Sequence, residues 1–92
     1  TVFISVATPW EMIIKIKSRK LKVPKNFTNF ITGGVFTILP IQLNHVLEVK
    51  KLPDIHQDPF DRILISQAKA EKLTLITSDP KIWKYKIALV KA

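Results

Sequence analysis

The chain has 92 residues, 47% of them hydrophobic, and 15 Lys and Arg against 7 Asp and Glu give a net charge of +8. That length bounds it to one small domain (1–92), the apolar content argues against a disordered chain, and the lack of Cys excludes disulfides and thiolate metal sites. The basic balance calls for an anionic partner, whether nucleic acid, an acidic protein or a membrane surface, yet no apolar run approaches a membrane span. A cytoplasmic protein is the expectation. No signal-peptide pattern is present, and a first residue of Thr fits a fragment, a processed chain or residues lying upstream.

Residues 2–6 read as a strand, apolar on both faces and so internal to a parallel sheet. Thr8-Pro9-Trp10-Glu11 then starts a helix: Thr8 suits the cap, Pro9 the first turn, and Glu11 completes a capping box. Trp10, Ile13 and Ile14 share one face, and Lys15, Lys17, Arg19 and Lys20 fill the last turns, where cations favour the helix dipole. Glu11 also stands four residues before Lys15, the spacing of a helical ion pair. Residues 21–24 form a linker. Residues 26–32 make a short helix with Phe27, Phe30 and Ile31 on one face, closed by Gly33-Gly34. The aromatics are read as core rather than as base-stacking platforms. Residues 35–40 form the next strand and 42–51 a helix, with Leu43, Val46, Leu47 and Lys50 along one side. A loop over 52–57 contains Pro53.

The stretch 58–79, DPFDRILISQAKAEKLTLITSD, is the most informative. Asp58 caps a helix, Pro59 fits its first position, and Asp61 falls where a capping-box acid reaches back. Phe60, Ile63, Leu64 and Ala68 recur at helical spacing. The period then changes, and residues 73–77 read as a buried, β-branched strand ended by Ser78-Asp79-Pro80. Asp79 thus lies at the carboxyl end of a strand, where α/β sheets place their ligands. A short helix and a last strand complete an alternation that specifies α/β with a mostly parallel sheet.

HQDPFDRILISQAKAEKLTLITSDPKIWKYKIALV resembles the C-terminal half of PIN domains, specifically the VapC-type toxin ribonucleases. TVFISVATPWEMIIKIKSRKL is similar to that family's second strand and the Trp-Glu opening its next helix, and VFTILPIQLNHVLEVKKLP to its third strand and following helix. The resemblance implies a PIN-like three-layer α/β fold. It also implies that the family's first, central strand, with its early Asp, has no counterpart here. A gap is expected between the strands at 2–6 and 73–77, closed by direct pairing, another segment or strand exchange in a homo-oligomer.

The implied chemistry is hydrolysis of RNA phosphodiester bonds through a carboxylate-bound Mg2+ or Mn2+ ion. Carried over by motif, the catalytic and metal-holding residues are Glu11, Asp61 and Asp79, with Thr77 and Ser78 supporting them from behind. Lys15, Lys17, Arg19 and Lys20 lie beside the Glu11 helix, as an RNA-facing set or as a solvated face. Asp58 is read as a structural cap, and His45 and His56 as packing or surface histidines. Arg62 is left between a phosphate contact and a neighbouring acid. Two functions follow: an endoribonuclease of a type II toxin–antitoxin system, inhibited by a cognate antitoxin, or a truncated, catalytically inactive PIN-fold remnant that binds RNA or a protein. Without the early Asp, activity of this chain alone is expected to be feeble.

Overall fold

The computed structural model describes residues 1–19, 22 and 26–91. Lys20, Lys25 and most of the linker over 21–24 lie outside them. The chain divides into two compact units, Thr1–Pro40 and Ile41–Ala92.

The first unit runs β1 (Phe3–Ser5), α1 (Ala7–Lys17), α2 (Phe27–Thr32) and β2 (Thr37–Leu39). β1 and β2 pair in parallel, Phe3 opposite Thr37 and Ser5 opposite Leu39. The expectation of a strand covered on both faces fails here, because Val2 and Phe3 stand largely exposed and only Ser5 is buried. Helix α1 also begins earlier than its Thr-Pro-Trp-Glu signature indicates. Val6 is already helical, and Ser5 Oγ accepts the Ala7 N–H at 3.1 Å, so Thr8 is not the cap and no capping box with Glu11 forms. The physical reason is the direct passage from strand to helix, which lets Ser5 take an orphan amide before Thr8 can. At the other end of α2, Gly34 takes φ +89°, the positive value that the Gly33-Gly34 pair is suited to supply.

The second unit runs α3 (Leu43–Val49), α4 (Pro59–Ala70), β3 (Leu75–Thr77), a 3-10 turn at Ile82–Lys84 and β4 (Leu89–Lys91). β3 and β4 pair in parallel, Leu75 with Leu89 and Thr77 with Lys91. Leu52, Ile65, Ile82 and Tyr85 form the buried core, with Ile55, Leu75, Ile87 and Leu89 packed against it. β3 is covered on one side only, since Ile76 is exposed; the sequence expectation of a buried strand holds for Leu75 and Thr77 alone, both half-buried. The alternation of helices with parallel strands is the α/β class that the sequence implies. β1 and β3 belong to different two-stranded sheets, and among the described residues no strand joins those sheets.

Helix α4 organises this unit. Asp58 accepts from Phe60 N–H at 2.8 Å and Asp61 N–H at 3.2 Å, with Pro59 at the first position, as its sequence dictates. Its buried face differs from the apolar stripe: Ile65, Ser66, Gln67 and Ala68 are buried, whereas Phe60, Ile63 and Leu64 are half-buried. The polar pair goes inside because α3 supplies partners. Ser66 Oγ donates to the His45 carbonyl at 2.6 Å, and the Gln67 amide lies 3.5 Å from His45 Nδ1. His45 is itself fully buried, neither surface residue nor inert filler. It forms a capping box with Gln42 at the head of α3, accepting the Gln42 N–H on Nδ1 at 2.9 Å, and donates from Nε2 to Glu71 at 2.9 Å.

Candidate metal centre

Asp61 and Asp79 reach one place by two local rules. Asp61 occupies the third position of α4, in the first turn, where the helix dipole favours a carboxylate. Asp79 follows the end of β3, and its conformation is fixed on every side. Its N–H donates to Thr77 Oγ1 at 3.1 Å, its Oδ1 accepts the Lys81 N–H at 2.9 Å, and its carbonyl accepts from Ile82 N–H at 3.1 Å. Trp83 Nε1–H donates to the Thr77 carbonyl at 2.9 Å, which folds the turn back on the strand end. Thr77 therefore orients the backbone of Asp79 and not its carboxylate. Ser78 is an exposed link between the two.

Between the two acids stands His56. Its Nε2 lies 2.8 Å from Asp61 Oδ2 and 3.1 Å from Asp79 Oδ2. The three side chains each offer a donor atom within 4.8 Å of the others, and His56 is buried while both acids are half-buried. The sequence expectation is a packing or surface histidine; the structure makes it the centre of the cluster. The only local hint is its place two residues before the capping Asp58 and five before Asp61. The Asp58 N–H, which a capping-box acid would take, instead points to His56 Nδ1 at 3.4 Å.

The loop that carries His56 is clamped from beneath. Arg62 Nη1 donates to the carbonyls of Pro53 at 3.0 Å and His56 at 3.1 Å, and Nη2 to that of Val49 at 3.1 Å. Tyr85 Oη accepts the His56 N–H at 3.0 Å and donates to the Pro53 carbonyl at 3.1 Å. Arg62 is thus committed to backbone oxygens, with Asp54 at 4.0 Å as an exposed companion, and is not aimed at a phosphate.

Glu11 belongs to the first unit, on α1, where its carboxylate pairs with Lys15 at 3.5 Å, as the four-residue spacing foretells. Lys15, Lys17 and Arg19 are exposed at the end of that helix, and Lys20 lies outside the described residues.

Two carboxylates converging on one place suit a divalent cation, since hard ions such as Mg2+ and Mn2+ prefer oxygen donors. No helix among the described residues is long and apolar enough to cross a membrane. No curated protein and no solved structure gives a significant match to the chain. The family model described as PIN domain matches residues 1–87, a span that holds β1 through the Ile82–Lys84 turn and every acid discussed above. PIN domains have a nuclease-like fold, depend generally on divalent metal and act on RNA, which is the chemistry two converging carboxylates can serve. With the match running over nearly its whole length, this chain belongs to the PIN domain family.

Proposed function

We propose that the protein is a metal-dependent endoribonuclease of the VapC type, the toxin of a type II toxin–antitoxin pair, acting as a single domain in the cytoplasm. The observation that carries this reading is the meeting of Asp61 and Asp79 about one histidine nitrogen, from a helix head and a strand end. Asp61 and Asp79 would hold the Mg2+ or Mn2+ ion, and Glu11 is the further carboxylate that the family resemblance implies. When bound, such an ion polarises a phosphate and eases deprotonation of the attacking water. Thr77 keeps Asp79 in place through its backbone, with Ser78 completing the turn.

Lys15, Lys17, Arg19 and Lys20 draw the RNA backbone towards α1, as the net charge of +8 supports. The same charge suits an antitoxin that covers the site with an acidic segment. Exposed Trp10, Ile13 and Ile14 on α1, and Leu43, Val46 and Leu47 on α3, offer apolar surface for that partner or for a homo-oligomer.

The test is cleavage of single-stranded RNA by the full-length protein. EDTA should abolish it, Mg2+ or Mn2+ should restore it, and Asp61→Asn or Asp79→Asn should lower it at least ~100-fold, beyond the loss typical of outer-shell partners. RNA binding with no metal-dependent cleavage would overturn the enzyme and leave a non-catalytic PIN module that binds RNA.

A further inference from the structure

We propose that His56 is a positioning residue of the metal centre: its Nε2–H bridges Asp61 and Asp79 and holds both carboxylates ready for one divalent ion. This rests on the metal-dependent reading above and extends it to a residue outside the carboxylate set.

The proton's location follows from the hydrogen-bond network. Nδ1 faces the Asp58 N–H, a donor, so it presents its lone pair there and the ring proton sits on Nε2. A protonated Nε2 lies against two carboxylate oxygens at 2.8 and 3.1 Å, which is one donor shared by two acceptors. The shared proton offsets the repulsion of two carboxylates this close together. The same tautomer argues against His56 as a ligand through Nε2. A metal bond there would require the proton on Nδ1, pointing it at the Asp58 N–H.

The ring cannot easily turn away. The His56 side chain is 10% exposed. Its own N–H is held by Tyr85 Oη and its carbonyl by Arg62, so the backbone beneath the imidazole is tied at both ends. Each carboxylate keeps further lone pairs for an ion while it accepts from His56. Donors of this kind orient metal-binding carboxylates, and their loss weakens metal binding by about 10–100-fold. His56 supplies such a donor to both acids at once.

The experiment has a metal-free and a metal-loaded arm. In the metal-free protein, 15N-edited NMR of the His56 ring should show a hydrogen-bonded Nε2–H that exchanges slowly with water. A ring protonated on Nδ1 alone would overturn the bridge whatever the fate of the metal reading. In the second arm, Mn2+ affinity is read by the loss of the free-ion EPR signal on titration. His56→Ala should weaken it by about 10–100-fold. His56→Gln, which keeps an N–H donor, should recover part of the loss, with circular dichroism showing both variants folded. Equal Mn2+ affinity in wild type and folded His56→Ala would overturn the proposal while sparing the metal site. A strong, directly bonded imidazole nitrogen coupling in the pulsed EPR spectrum would overturn it in favour of ligation. A wild-type protein that shows the Nε2–H bridge but no Mn2+ affinity would overturn the metal reading and, with it, the claim that the bridge prepares an ion site.

Discussion

Among single residues, Arg62 shows how much one side chain settles. Its guanidinium meets the carbonyls of Val49, Pro53 and His56 and approaches Tyr85 Oη at 3.4 Å. A planar fork with five donors can span that loop; an ammonium on a flexible stem cannot. Arg62→Lys, which keeps the charge, should therefore lower stability by ~1.5–3 kcal/mol, the range for a hydrogen bond to a charged group. Urea unfolding measures it, and an unchanged midpoint would mean that the loop holds its shape without the fork. Because His56 rides on this loop, Mn2+ binding should weaken in the same variant.

Elements end here by unequal means. α4 closes in a Schellman arrangement, the Leu73 N–H donating to the Ala68 carbonyl at 2.8 Å and the Lys72 N–H to that of Lys69 at 3.4 Å. The residue that must turn left-handed is Lys72, with φ +54°, where glycine is the unstrained choice. Lys72→Gly should raise stability by roughly 0.5–1 kcal/mol, the left-handed strain relieved less the greater entropy of glycine in the unfolded chain. A fall in the thermal midpoint would show that the Lys72 side chain contributes contacts worth more than that strain. α3 is bound to α4 by different means, through the buried His45, whose ring and carbonyl together reach Gln42, Ser66 and Glu71.

Over the whole molecule, charge sets the terms of binding. Fifteen cations against seven acids imply contacts dominated by phosphate, tolerant of sequence and weakened by salt. Lys17 and Arg19 are exposed where α1 ends. If both meet RNA, changing them to Ala should flatten the slope of log affinity against log salt by about 1.4, from ~0.7 per phosphate on a single strand. A slope that does not move would make this run a solvated face.

What the sequence by itself determined lies within a few residues of itself. Asp58 caps its own helix, Pro59 sits where its ring fits, Glu11 finds Lys15 one turn on, and Asp79 follows a strand that ends in Thr77. Caps, turns and ion pairs of this kind are satisfied locally, so residue type and spacing reveal them. The pairing of strands in parallel is legible for a related reason, since strand and helix periods alternate along the chain. Tertiary structure alone decided the rest. His56 meets Asp79 across 23 residues and Tyr85 across 29, and His45 meets Glu71 across 26. Ser66 and Gln67 look like exposed polar positions on a helix and become buried because His45 arrives from α3. A buried polar group needs a partner of the right chemistry, and which distant residue supplies it is fixed by packing and not by spacing. For that reason the helix-head place of Asp61 and the strand-end place of Asp79 are legible in the sequence, while the histidine that joins them is not.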